Sequence, residues 1–142
     1  MNPNAKTRIL IADDELFMLR LLEATFRKGG YDVIQCRNGA EALTAADQAS
    51  PQLIVMDVMM PGLDGLAAIR QLKESPRTRH IPVIVLSAKG QALTEVEAVQ
   101  SGAALFLTKP FSPTQLLETV RRLLTTEGHP STAPAGSGGS PA

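Results

Sequence analysis

Arg8-Ile9-Leu10-Ile11-Ala12-Asp13-Asp14 is a short apolar run that stops on two carboxylates, and Leu53-Ile54-Val55-Met56-Asp57 repeats the arrangement with one. Runs of this length, rich in branched aliphatic residues and ended abruptly by charge, read as strands buried on both faces. Two further runs follow. Pro82-Val83-Ile84-Val85-Leu86 ends in Ser87, and Leu105-Phe106-Leu107 leads into Thr108-Lys109-Pro110. In an open α/β sheet, ligands bind beyond the carboxyl ends of the strands, where the strand order reverses. Those ends here offer three carboxylates, a hydroxyl and an ammonium. The set suits a divalent cation and a phosphoryl group held against a carboxylate nucleophile, with the lysine balancing the remaining charge.

Between these runs the apolar residues change to a helical period, so the chain alternates strand and helix five times, the pattern of a parallel sheet. Met18, Leu19, Leu22 and Phe26 predict a first helix from Glu15 to Lys28, stopped by Gly29-Gly30. Asn38 can cap a second helix, with Glu41 in its first turn and Leu43, Ala46 and Ala49 on its apolar side. Leu66, Ile69 and Leu72 mark a third; Leu93, Val96 and Val99 mark a short fourth, bracketed by Gly90 and Gly102. The last is the clearest. Ser112 can cap it, Pro113 suits the first helical position, Gln115 completes a capping box, and Leu116, Leu117, Val120, Leu123 and Leu124 form the stripe.

Composition excludes several classes. The 142 residues fit one domain, and 44% hydrophobic with 20% charged residues describe a soluble globular chain. Fourteen basic residues balance fourteen acidic ones, so no overall field favours nucleic acid or anionic lipid. No apolar run approaches membrane-spanning length, and the amino terminus lacks a signal-peptide pattern, which predicts a cytoplasmic protein. Cys36 reads as a half-buried structural thiol; a single cysteine permits no disulfide framework. From residue 126 to 142 the chain turns to Gly, Pro, Ser, Thr and Ala, a composition expected of a flexible tail or linker, leaving 1–125 as the folded domain.

The acidic pair Asp13-Asp14, the segment Asp57-Val58-Met59-Met60-Pro61-Gly62-Leu63-Asp64-Gly65, Ser87-Ala88-Lys89 and Lys109-Pro110-Phe111, in that order at strand ends, closely resemble the receiver domains of two-component response regulators. The resemblance covers Thr7 to Thr125. It implies a flavodoxin-like doubly wound five-stranded parallel sheet of order 2-1-3-4-5 with five helices. Asp57 would be the phosphoacceptor, taking its phosphoryl group from the phosphohistidine of a sensor kinase. Mg2+ would be held by Asp14, Asp57 and the backbone carbonyl of Met59, with Asp13 acting through ligand water. Lys109 and Ser87 would contact the phosphoryl oxygens. Lys109-Pro110 matches the position of the family's cis peptide, which a proline permits.

The same resemblance implies a switch. Phosphorylation adds nearly two negative charges; Ser87 would move toward them and Phe106 would turn into the space vacated. The face remodelled would be helix four (about Gln91 to Gln100), strand five (Leu105 to Thr108) and helix five (Ser112 to Leu124), read by a downstream protein or by a second copy of the chain. Many family members carry acidic residues and a tyrosine where this chain has Ala104-Leu105-Phe106, so a more apolar face is expected. Met59 and Lys89 flank the site and are expected to tune the lifetime of the phosphorylated form.

Other residues have plainer readings. Asp64 suits a turn or cap. His80 and His129 lack metal-ligand neighbours and read as surface residues, while Arg77, Arg79 and His80 form a solvated loop. Other classes explain less. A haloacid-dehalogenase-type aspartyl phosphatase needs a general-acid aspartate two residues after the nucleophile, where this chain has Met59. A nucleotide binder would want a phosphate loop after strand one, where Asp13-Asp14-Glu15 repels phosphate. A degenerate receiver serving as a constitutive docking module, and a receiver cut from a longer regulator, complete the alternatives.

Overall fold

The computed structural model describes residues 7–58, 65–88 and 95–127. Met59, Asp64, Lys89, Gly90, Leu93 and His129 lie outside these residues, as does the side chain of Val96. In chain order the elements are β1 (Arg8–Ala12), α1 (Leu16–Lys28), β2 (Asp32–Cys36), α2 (Gly39–Ala49), β3 (Leu53–Asp57), α3 (Gly65–Glu74), β4 (Val83–Ala88), α4 (Glu95–Ser101), β5 (Leu105–Lys109) and α5 (Pro113–Glu127). The strands form one parallel sheet in the order β2-β1-β3-β4-β5. This is the expected doubly wound arrangement, and the order reverses between β1 and β3.

The pleat explains why the inner strands are apolar along nearly their whole length. Successive side chains leave a strand on opposite faces. Ile9, Ile11, Leu53, Val55, Ile84 and Leu86 therefore pack with Leu19, Leu22 and Phe26 of α1 and Leu116 and Val120 of α5. Their neighbours Leu10, Ala12, Ile54, Met56, Val83 and Val85 pack with Ala42 and Ala46 of α2, Ala68, Ile69 and Leu72 of α3, and Ala98 of α4. A central strand serving two cores has no position to give to water.

The helix ends follow local chemistry. Asn38 Oδ1 accepts from the Glu41 amide at 2.8 Å, and Glu41 Oε1 accepts from the Arg37 amide at 2.8 Å, so the polar pair closes the start of α2. Ser112 Oγ accepts from the Gln115 amide at 3.2 Å, with Pro113 first in the helix. Gly102, at φ +111, ends α4 in a left-handed conformation and lies under the stem of Lys73, whose Nζ donates to the carbonyls of Arg79 and Ile81.

Three expectations need correction. Val99 does not join the core: it is 53% exposed, and Ala98 is buried in its place. A methyl-sized side chain lets the short α4 lie close to its neighbours, which turns the next residue outward. Cys36 is fully buried rather than half-buried, and burial followed by the Glu41 charge pushes its thiol up to about 11. Arg77 is not merely solvated; its Nε meets Asp47 Oδ1 at 2.9 Å and its Nη2 donates to the Asp47 carbonyl at 3.1 Å, tying the α3–β4 connection to α2. His80 is exposed, and α5 runs to Glu127, past residue 125.

Candidate active site

The register of the sheet sets the carboxylates side by side. Ala12 pairs with Met56, so Asp13, the next residue, lies beside Asp57 at the end of β3. The Asp13 amide donates to the Cys36 carbonyl at 3.1 Å and the Val58 amide to the Leu86 carbonyl at 3.2 Å, which holds both ends in the sheet as the chain leaves it. Two strands over, Ala88 pairs with Lys109. Asp13, Asp57 and Lys109 share the parity of residues that face the α1 and α5 layer; Ser87 has the opposite parity, that of Val83, Val85 and Phe106.

Lys109 spans the distance with its side chain. Its Nζ lies 2.8 Å from Asp57 Oδ2 and 3.1 Å from Asp13 Oδ2, with all three side chains largely removed from solvent. Glu15 Oε1 approaches the same ammonium at 3.6 Å. The Lys109–Pro110 peptide is cis. Ser87 is buried, and its Oγ donates to the Ala88 carbonyl at 3.4 Å. Phe106 is partly buried and packs against the α2 to α4 core.

Charge is concentrated here and incompletely balanced. Burial is the main influence on Asp13 and raises its carboxyl above the ordinary value; the Glu15 amide, 2.9 Å from Oδ1, opposes this, the Asp57 charge adds to it, and Lys109 opposes it. Burial acts to lower Lys109, yet its hydrogen bonds and charge contacts with Asp57 and Asp13 outweigh that and leave the ammonium above the ordinary lysine value. Asp13, Asp14 and Asp57 each place a carboxylate oxygen within 4.8 Å of the others. Oxygen donors so grouped fit Mg2+, a hard cation that takes a few carboxylates and keeps several waters. Both oxygens of Asp13 already accept protein hydrogen bonds, from the Glu15 amide and from Lys109, whereas Asp14 is exposed. Met59, whose carbonyl completes the expected set, lies outside the described residues.

Two features of the mouth escaped the sequence reading. Glu15 belongs to the charge cluster, and Leu16 and Phe17, 47% and 77% exposed, form an apolar surface on the first turn of α1 beside it. The sequence carries the signal for the second: Leu16 and Phe17 precede Met18 and Leu19, and one helix face cannot bury four consecutive residues.

Comparison with known proteins agrees with this fold. The family model for the response regulator receiver domain matches residues 9–121. PleD of Caulobacter vibrioides is 42% identical over 116 residues, which is 82% of this chain and 26% of that protein. Protein PilH of Pseudomonas aeruginosa is 38% identical over 82% of this chain and 97% of its own length. The chain thus spans about a quarter of PleD and nearly all of PilH. The receiver domain of a signal transduction histidine kinase from Syntrophus aciditrophicus superposes with a TM-score of 0.79 at 36% identity, covering 92% of this chain and 97% of that one. Family model and fold coincide, and the chain belongs to the response regulator receiver domain family of two-component signalling.

Proposed function

We propose that this chain is a phosphoacceptor: Asp57 takes a phosphoryl group from a sensor histidine kinase, and the acyl phosphate switches a protein-interaction face. The observation that carries the reading is the Asp57 carboxylate, buried at a strand end, 2.8 Å from the Lys109 ammonium and grouped with Asp13 and Asp14. A carboxylate oxygen of Asp57 attacks phosphorus, the P–N bond of the donor's phosphohistidine breaks, and its electron pair and a proton remain with the imidazole. Lys109 supplies positive charge where the phosphoryl oxygens gather, and Ser87 supplies a hydroxyl donor. Asp14 and Asp57 would hold Mg2+ directly and Asp13 through a ligand water; when bound, the ion offsets charge on the phosphoryl oxygens. Water attack on phosphorus later frees Asp57. Multiple-turnover hydrolysis of outside phosphoesters has no support, because Met59 stands where a general acid is needed.

The same reading assigns the output. Ser87 and Phe106 share one side of the sheet, and the proposed partner face is α4, β5 and α5. Val99 is exposed on α4, and Leu105, Phe106 and Leu107 are only partly buried along edge strand β5. Such a face suits a protein partner or a second phosphorylated copy. Leu16 and Phe17 offer apolar contact to the phosphodonor's own domain beside the site. A cytoplasmic location follows from the sensor kinase as donor. The docking-module alternative would predict a lost acceptor or lysine, and neither is lost.

The test is intact mass after incubation with Mg2+ and acetyl phosphate, beside Asp57→Asn. A phosphate-sized gain in the parent alone, abolished by chelation, is expected. No gain in a folded parent would overturn the reading in favour of constitutive docking.

A further inference from the structure

Glu15 occupies the N-cap of α1 in extended conformation, φ −92 and ψ 118, yet its side chain makes no capping hydrogen bond. A side-chain oxygen at that position ordinarily turns back to the free amides of the first helical turn. Here the carboxylate reaches outward to the Lys109 ammonium at 3.6 Å, while remaining 63% exposed. Its backbone is fixed from both sides: the amide donates to Asp13 Oδ1 at 2.9 Å, and the carbonyl accepts from the Leu19 amide at 3.0 Å. The pinned backbone sets a solvated carboxylate over a site in which one ammonium already faces Asp13 and Asp57.

We propose that Glu15 is a positioning residue that engages Lys109 at the mouth of the site and makes that mouth more attractive to the divalent cation and more repellent to small anionic phosphodonors. This rests on the reading of Asp57 as phosphoacceptor. Glu15 contacts neither phosphorus nor the nucleophile; it acts through Lys109 and through its own charge. An incoming dianion must displace Glu15 from the ammonium and approach against it. A protein donor brings the same charged phosphoryl group but offsets that repulsion with contacts elsewhere on the domain, so it is hindered less. The residue thereby discriminates between classes of donor.

The experiment uses the full chain, Glu15→Gln and, as a control, Glu118→Gln, which removes an exposed carboxylate from α5. Mg2+ affinity is read by calorimetry, and loading by acetyl phosphate is read by mass at saturating Mg2+, each at low and high salt. Glu15→Gln is expected to weaken Mg2+ binding and to speed loading, each by about three- to tenfold at low salt, with both differences collapsing in half-molar salt as exposed charges are screened. Glu118→Gln changes neither. Mg2+ affinity unaltered in Glu15→Gln, or loading no faster than the parent, overturns the proposal. A parent that binds Mg2+ but takes no phosphoryl group would sink the phosphoacceptor reading, and the Mg2+ titration would then decide the role of Glu15 alone. A parent that binds no Mg2+ defeats both.

Discussion

Lys109 and Asp57 stand 52 residues apart in sequence and 2.8 Å apart in space, the ammonium of an edge strand laid across to the carboxylate of the central one. Their pairing makes the cluster tolerable, since Asp13 and Asp57 would otherwise face each other with little solvent between them. Lys109→Met is expected to destabilise the protein by about 2 kcal/mol at neutral pH, because removing one member of a buried ion pair leaves the other uncompensated. Urea denaturation without divalent cations measures it. Loading of Asp57 by acetyl phosphate should fall at least about tenfold with the loss of that charge.

The alkaline limb of stability should report the same lysine. Its folded value lies above the ordinary one, so its stabilising contribution is complete below about pH 10.5 and disappears as the pH rises through the higher folded value. The stability difference between parent and Lys109→Met should therefore hold from pH 7 to 10 and shrink beyond. Denaturation midpoints across that range check it; a gap that closes by pH 9 would contradict the assignment.

Asp13 carries the opposite sign. Its carboxyl is raised, chiefly by burial, so the ionised form costs stability at neutral pH: the favourable contribution exists below the ordinary value of 3.8 and is lost as pH rises through the folded value. Asp13→Asn is expected to raise the melting temperature of the metal-free protein by a few degrees, a change of order 1 kcal/mol. Adding Mg2+ should stabilise the parent more than the variant and narrow the difference.

At the N-cap of α1 a shorter acid should do better than the native one. Glu15→Asp keeps the charge while returning an oxygen to the first-turn amides, and an N-cap bond contributes about 0.5–1 kcal/mol. A rise in denaturation midpoint without change in slope would show it.

Gly102→Ala tests the turn after α4. The residue sits at φ +111, and a Cβ there would meet Lys73 Cγ at 2.6 Å, on a stem fixed by hydrogen bonds to Arg79 and Ile81. A loss of about 2 kcal/mol in urea denaturation is expected, since both the backbone and the lysine must yield.

Much of the fold is legible in the sequence. The aliphatic runs of β1, β3 and β4 read as strands buried on both faces and are so, whereas that of β5 is only partly buried because it lies at the sheet's edge; the polar residues at which the four stop, Asp13, Asp57, Ser87 and Lys109, lie at the carboxyl ends of the strands. What the period could not give was side-chain reach. Glu15 reads as an ordinary first-turn acid, and only the edge position of β5 and the length of the lysine stem bring the two together. The short α4 misled for a related reason: with so few turns, one small residue shifts the buried side from Val99 to Ala98. On α2 the period starts one residue earlier than Leu43 suggests, with Ala42 and Ala46 buried and Leu43 partly so.

The alternation of side chains through the sheet has a further consequence. By strand parity Asp13, Asp57 and Lys109 share the side of Ile11, Val55 and Leu107, and Ser87 shares that of Val85 and Phe106, so one backbone thickness separates the charged groups from the aromatic residue. Ser87 joins the two sides, offering its hydroxyl to the proposed phosphoryl group while sharing the strand parity of Phe106. A lineage, or an engineer, that exchanges correspondents through Val99 or Phe106 works on the side of the sheet away from Asp13, Asp57 and Lys109.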